Sequence, residues 1–342
     1  MRASVIIVTY NSARYIRGCL ESVFKDLGRD DEVIVVDNGS TDGTAAIVEQ
    51  EYPAVRLVRG RNTGYAGGNN RGATEASGAY LIFLNPDTAV HAGAIEALLA
   101  PLGDGSDIGL TTARLVYMDR PTIINACGNT IHFTGLTYCR GAGRPRDELD
   151  EPAEVDAVSG AAFAIGREVY AELGGFDEHF FMYVEDTDLC WRGRLLGYRC
   201  LYVPDAVVEH DYHPAYSPRK AFYLDYNRHV MLLKNCSRPT YARMLPGLLL
   251  AEIVTWGFLV LQGPRFWPVK LRVYYRLWKR RASIAAMRRA MHARRRRSDS
   301  EVMRRMEYRL DFGQLADPAV ARFSALVFHP AFRIAHMLVA HG

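Results

Sequence analysis

The stretch YLIFLNPDTAV, residues 80–90, decides how the first half of this chain is read. Tyr80–Leu84 is an unbroken apolar run with the length of a buried strand. Pro86 has no N–H to give a ladder, so the strand must stop at Asn85-Pro86-Asp87. Asp87 is thereby presented at the carboxyl edge of a strand, the side on which open α/β sheets bind ligands. One carboxylate beside an asparagine reads either as a polar turn or as a metal-and-phosphate site with one ligand missing.

Three more short strands precede it, at Ser4–Tyr10, Glu32–Val36 and Val55–Val58. Helical stretches near Ser12–Lys25, Asp42–Glu51 and Gly67–Ala76 separate them. Such alternation implies βαβ units, a parallel sheet and right-handed crossovers. From about residue 107 to 164 the pattern loosens. It leaves strand candidates at Thr111–Tyr117 and Asp156–Ile165, with the loop-like RGAGRPRDELDEP between them. A helix with an acidic first turn is predicted over Glu185–Leu196, a strand over Arg199–Val203 and a helix over Ala221–Lys234.

A chain of 342 residues can bury a full core and carry an appendage. Its six cysteines (Cys19, Cys127, Cys139, Cys190, Cys200, Cys236) form no CxxC pair, which suits a reducing compartment and argues against a disulfide or zinc scaffold. The opening MRASVIIVTYNS reads as a first strand rather than a secretory signal. The net charge of +4 conceals an asymmetry: Arg265 to Arg297 carries 13 Lys or Arg and no acid, leaving 29 basic against 38 acidic residues elsewhere. A basic tail on an acidic globule seeks phosphate, in nucleic acid or at an anionic membrane surface. No nucleic-acid module is visible, so the membrane is preferred.

Ahead of that tail, Met244–Leu261 is apolar except for Glu252 and Thr255. It is borderline for a span of roughly 20 residues. Crossing would also strand the basic segment on the far side, against the positive-inside tendency. We therefore expect helices lying in the interface, with Trp256, Phe266, Trp267 and Trp278 at headgroup level. The plainer alternative is a core helix followed by a solvated basic one. The expected division is a catalytic domain over 1–236 and a helical, membrane-associating region over 237–342.

Three further stretches carry candidate chemistry. In VIVVDNGSTDGT (33–44), Asp37 ends a strand, where a carboxylate accepts from a nucleotide base or ribose, or simply closes a turn with Ser40 or Asp42 as helix cap. GRNTGYAGGNNRG (60–72) has five glycines that permit close backbone approach. It lacks a GxGxxG fingerprint and follows the third strand, which disfavours a Rossmann cofactor site. Glu185, Asp186 and Asp188 open a helix, where acids meet the dipole favourably. Three acids in four residues exceed what a cap requires, and their repulsion favours a general base. His210 ends the run PDAVVEH, as a structural residue or a ligand.

The order of these motifs, with GAAFAI, LGGFDEHFF, EDTDLCWR and a downstream histidine, resembles family 2 glycosyltransferases. It is most similar to the rhamnosyltransferase-like subset, which often carries LNPD where others have two aspartates. The resemblance covers about residues 1–236. It implies a GT-A fold, an α/β Rossmann-like mixed sheet flanked by helices, and inverting sugar transfer from a nucleoside-diphosphate donor. Thr9, Tyr10, Asn11, Asp37, Asn38, Gly39, Asn62, Gly67, Asn69, Asn85 and Asp87 would contact that donor, Asp37 reaching the base. Asp87 and His210 would hold Mg²⁺ or Mn²⁺. Asp186 would be the catalytic base, oriented by Glu185 and Asp188, with Trp191 and Arg192 on the acceptor side.

Asn85 departs from the two-aspartate pattern. A neutral amide can still contact ribose or a metal-bound water, and Mg²⁺ commonly keeps waters. Such a site is completed by the donor's phosphates. LNPD leans towards dTDP-rhamnose, with UDP-sugars as the alternative. The basic, apolar tail favours a glycan or polyprenyl-diphosphate-linked acceptor at the cytoplasmic face of the cell membrane. One rival is a processive polysaccharide synthase, whose QxxRW motif QGPRFW only approximates, since Phe266 follows Arg265. Others are a non-catalytic nucleotide-sugar-binding membrane protein and a Rossmann oxidoreductase.

Overall fold

The computed structural model describes residues 2–103, 107–213, 215–314 and 318–340. Its strands are β1 (Ala3–Thr9), β2 (Glu32–Asp37), β3 (Arg56–Arg59), β4 (Tyr80–Leu84), β5 (Thr88–Val90), β6 (Ile108–Tyr117) and β7 (Arg120–Ala126). They continue with β8 (Asn129–Ile131), β9 (Thr137–Cys139), β10 (Ala153–Val155), β11 (Ala162–Gly166) and β12 (Arg199–His210). One mixed sheet runs β10-β12-β6-β11-β4-β1-β2-β3, with β5 added on β12 and β7 on β6. β8 and β9 form a separate ribbon.

The predicted βαβ half is present. β1 pairs in parallel with both β2 and β4, and β2 with β3. Both faces of this part are covered, which explains why VIIV, VIVV and LIFL read as continuous apolar runs rather than alternating ones. Val5, Ile7, Val33, Val35, Ile82 and Leu84 are buried in one cluster with Ile16, Leu20 and Val23 of the helix Ile16–Asp26. Each such side chain contributes about 1.5–3 kcal/mol relative to exposure.

Two departures from the sequence reading shape the site. β12 does not stop at Val203 but runs on to His210. Its pairing with β6 slips between Val203 and Val207, so that Pro204 sits in a bulge, a place where a strand tolerates proline. The second departure is β5, three residues beyond Asp87, which pairs antiparallel with the extended end of β12 and sets Thr88 opposite His210.

The chain forms two compact units. One holds the sheet; the other contains residues 130–138, 194–197 and 215–342. The helix read as Ala221–Lys234 spans Pro218–Asn235 and groups with the second unit. There it is followed by Arg238–Leu261, Pro268–His292, Asp299–Met303 and Pro318–Ala340. Ser217 and Ser237 cap the first two by accepting from Lys220 N–H and Thr240 N–H.

In the second unit, exposed apolar side chains recur at helical spacing: Leu245, Leu249, Ile253 and Val260 on one helix, Phe323, Leu326 and Ile334 on another. Trp267, Leu271, Tyr275 and Trp278 do the same at the start of the basic helix. Arg238–Leu261 and Val320–Ala340 are long and apolar enough to cross a membrane by length and composition, with mean hydropathy 1.9 and 1.4. The second of these is masked in sequence by Arg322, His329, Arg333 and His336.

Candidate active site

Asp87 and His210 are brought together by the β5–β12 pairing. His210 Nε2 stands 3.6 Å from Asp87 Oδ1, and Asp211 N–H donates to the Asp87 carbonyl at 2.9 Å. On the other side of the ring, His210 Nδ1 lies 2.9 Å from Asn125 Oδ1. With Nδ1–H donating to that amide, the Nε2 lone pair faces the carboxylate. Asp87 Oδ1 is buried and has no hydrogen-bond partner. Two acceptor atoms facing each other, one orphaned, fit a shared cation, and Asn125 is the outer partner that fixes a ligating histidine. The Asn85 N–H donates to Ala161 O at 2.9 Å, while its carbonyl accepts from Thr88 Oγ1 at 2.7 Å.

At the ends of β1 and β2 the expected donor-binding residues form one knot. Asp37 Oδ1 accepts from Thr9 Oγ1 at 3.3 Å, and Oδ2 accepts from the Gly39 and Ser40 N–H groups at 3.2 and 3.1 Å. Asp37 thus closes its own turn while keeping a lone pair on Oδ1. Asn11 Oδ1 accepts from Thr41 N–H at 2.8 Å, tying the two loops together, and Tyr10 is exposed. Asn38 Nδ2 donates to Gly64 O at 2.9 Å, and its buried Oδ1 has no partner, a second orphan acceptor in this region. Asn62 Oδ1 accepts from Gly64 N–H at 2.9 Å. Asn69, by contrast, donates to Tyr65 O within its own helix and is buried. Gly67 packs against Thr63, which a Cβ would approach to 2.6 Å.

The acidic helix begins after a strained approach: Tyr183 and Val184 have φ of 67° and 70°. A β-branched residue there is an outlier costing about 1–3 kcal/mol. Asp186 Oδ2 accepts from the Gly160 N–H at 2.9 Å and from Asn129 Nδ2 at 3.4 Å, while Oδ1 accepts from Thr187 N–H at 2.6 Å. Burial pushes its carboxyl above the usual range, against the pull of the Thr187 and Gly160 donors. Glu185 is buried, its Oε2 has no partner, and burial and the neighbouring Asp186 charge push it well above the ordinary value.

Other members of this stretch turn inward. Asp188 is fully buried and accepts from Arg192 Nε at 2.9 Å. Arg192 in turn donates to Leu173 O at 2.5 Å and Gly175 O at 2.9 Å. Trp191 is 0% exposed. The acceptor-lining expectation for Trp191 and Arg192 is therefore corrected: one is core and the other a clamp on the Leu173–Gly175 turn. Helical periodicity explains it, because residues three and four beyond Asp188 share its inward face.

A second cluster of potential ligands, Asp225, His229 and Glu252, lies in the helical unit. Arg228 Nη2 contacts Asp225 and Glu252 at 2.9 and 2.5 Å, and Lys270 Nζ contacts the same two carboxylates at 2.9 and 2.8 Å. Two buried cations already balance the two acids. The cluster is an ion-pair network and does not suit a metal ion.

Sequence reasoning missed Asn125, Asn129 and Tyr65. Asn125 was legible as a polar residue in the apolar end of TIINA. Tyr65 was the one aromatic residue in a loop of glycines and asparagines.

Residues 4–171 match Glycosyl transferase family 2. The N-acetylglucosaminyl-diphospho-decaprenol L-rhamnosyltransferase of Mycobacterium tuberculosis is 33% identical over 238 residues, 62% of this chain and 76% of that protein. S. aureus TarS 1–349 in complex with UDP-GlcNAc superposes with a TM-score of 0.57 at 18% identity, covering 100% of this chain and 89% of that one. A mannosyltransferase from Pyrobaculum calidifontis in complex with GDP-Man and Mn²⁺ gives 0.52 at 18% identity, covering 98% and 86%. At these identities the two structures speak to the fold, which is GT-A. With a third of the aligned residues identical across 76% of a curated glycosyltransferase, the chain belongs to glycosyltransferase family 2, in its rhamnosyltransferase-like part.

Proposed function

We propose that this glycosyltransferase transfers rhamnose from dTDP-rhamnose, with inversion, to a polyprenyl-diphosphate-linked glycan at the cytoplasmic face of the membrane, in cell-surface polysaccharide synthesis. The observation that carries the chemistry is the orphaned Asp87 Oδ1 facing His210 Nε2 at the carboxyl edge of the sheet. The rhamnosyl donor and lipid-linked acceptor are supported by the relative from M. tuberculosis, an N-acetylglucosaminyl-diphospho-decaprenol L-rhamnosyltransferase.

In this reading Asp87 and His210 hold Mg²⁺ or Mn²⁺. The ion, when bound, supplies positive charge against the donor's diphosphate as the leaving group departs. Asn85 contacts the ribose or a water beside the ion. Thr9, Asn11, Asp37, Asn38 and Gly39 form the nucleotide end. Asp186 takes the proton from the acceptor hydroxyl while that oxygen attacks the anomeric carbon; the carbon–oxygen bond to the diphosphate breaks as the new one forms, and configuration inverts. The raised affinity of Asp186 for a proton makes it a stronger base than an exposed aspartate. Glu185 lies beside it and shapes its field.

Membrane attachment is supported by the apolar stripes on Arg238–Leu261, Pro268–His292 and Pro318–Ala340 together with the basic residues after Arg265. Apolar faces enter the headgroup boundary while arginines meet anionic lipid.

The test is transfer to a polyprenyl-diphosphate N-acetylglucosamine acceptor from dTDP-rhamnose and from UDP-sugars, analysed for anomeric configuration. A β-configured product from another sugar would retain the class and replace the donor; no transfer from any donor would overturn the reading.

A further inference from the structure

Tyr65 meets the acidic helix through a single residue, Gly160. Its hydroxyl donates to Gly160 O at 2.5 Å, and the N–H of the same Gly160 donates to Asp186 Oδ2 at 2.9 Å. Gly160 also leaves space for both groups: a Cβ there would lie 3.3 Å from Asp186 Oδ2 and 3.4 Å from the Tyr65 hydroxyl.

Tyr65 is itself anchored twice. Its N–H donates to Phe181 O at 2.9 Å, and its ring packs edge-on against Phe176 at 5.6 Å. The preceding Gly64 has φ of 75° and lies so close to the Phe181 carbonyl that a Cβ would stand 1.9 Å from it, so only glycine fits. Asn38, at the nucleotide end, donates to the Gly64 carbonyl. The first turn of the glycine-rich helix Gly64–Glu75 is therefore tied both to the end of β2 and to the residue that holds Asp186.

We propose that Tyr65 is a positioning residue for Asp186, acting through Gly160. This rests on the reading of Asp186 as the base. The hydroxyl fixes the Gly160 carbonyl, which orients the N–H at the other side of the residue towards the carboxylate. A hydrogen bond from that N–H stabilises the ionised carboxylate. Without the phenol the Gly160 carbonyl loses this anchor, rotation about the Gly160 Cα weakens the N–H to Oδ2 bond, and the proton is held more tightly. Sequence expectations assigned this loop only to the donor; the geometry also gives it a hold on the base.

The experiment is a carboxyl ¹³C titration of the full chain labelled at aspartate, with Asp186 assigned from the D186N spectrum. In Tyr65→Phe, which keeps the ring packing, the Asp186 midpoint should rise by on the order of half a unit to one unit. The acid limb of the kcat–pH profile should rise by the same amount, with kcat at neutral pH falling about tenfold and donor KM unchanged. Gly160→Ala, which crowds both the carboxylate and the Tyr65 hydroxyl, should lower kcat similarly. An unmoved Asp186 midpoint in Tyr65→Phe overturns the positioning role. Turnover surviving in D186N overturns the base assignment instead, and the titration still decides the claim about Tyr65.

Discussion

His210 Nε2 stands 3.6 Å from Asp87 Oδ1, and nothing in the described structure donates to that oxygen. Neither residue is near the other in sequence. Three residues of β5 and a bulge around Pro204 bring them together, and Asn125 fixes the ring from behind. A buried carboxylate oxygen left without a partner is costly unless a cation completes it.

If His210 is a ligand, the residue behind it matters. Asn125→Ala should weaken Mn²⁺ binding about 10–100-fold without abolishing it. Calorimetric titration with Mn²⁺ in the presence of UDP or dTDP reads this directly. Unchanged affinity would remove His210 from the metal site.

Glu185 gives a pH signature. Its folded-state pKa is raised by burial and by Asp186, so the folded protein keeps a proton that the unfolded chain has lost. Stability is therefore present in full below the ordinary glutamate range. It falls as pH rises from that range to the folded-state value, by about 1.4 kcal/mol per unit. Glu185→Gln should flatten this decline in urea denaturation between pH 4 and 8. An identical slope would show Glu185 to be ionised in the fold.

Trp191 and Arg192 should behave as structure. Trp191→Ala is expected to cost about 3–5 kcal/mol of stability, as for other buried aromatic truncations. Arg192→Ala removes a buried charge partner of Asp188, at a similar cost. Both are read by denaturant midpoints. A change confined to acceptor KM, with stability intact, would restore the acceptor role.

The exposed stripes predict membrane behaviour. Leu249→Asp together with Phe323→Asp should reduce binding to vesicles containing anionic lipid by tenfold or more, since each large apolar side chain is worth about 1.5–3 kcal/mol. Raising salt towards 1 M should weaken the wild type through screening of its arginines. Vesicle binding indifferent to both changes would leave these helices as ordinary surface.

Much of this was legible beforehand, for physical reasons. Strands buried on both faces announce themselves as apolar runs, so β1, β2 and β4 were readable within a residue or so. Proline truncated the reading of β12, because a bulge that accommodates Pro204 depends on partners distant in sequence. β5 was too short to show periodicity. The acids of the Glu185 helix were found, but which of them face inward depends on the angle at which the helix enters the sheet, and that angle is set by the unusual backbone at Tyr183 and Val184. Burial of Trp191 follows from the same placement. Tyr65 escaped notice because its role lies in a tertiary hydrogen bond to Gly160, 95 residues away.

The most direct test of the central claim is donor turnover over a panel of nucleoside-diphosphate sugars with Mg²⁺, Mn²⁺ or chelator, for wild type and Asp87→Ala. The account requires one donor to turn over only with metal and to lose that turnover in the variant. If no donor binds under any metal condition, or if Asp87→Ala keeps full metal-dependent turnover, Asp87 and His210 are not the centre of the site.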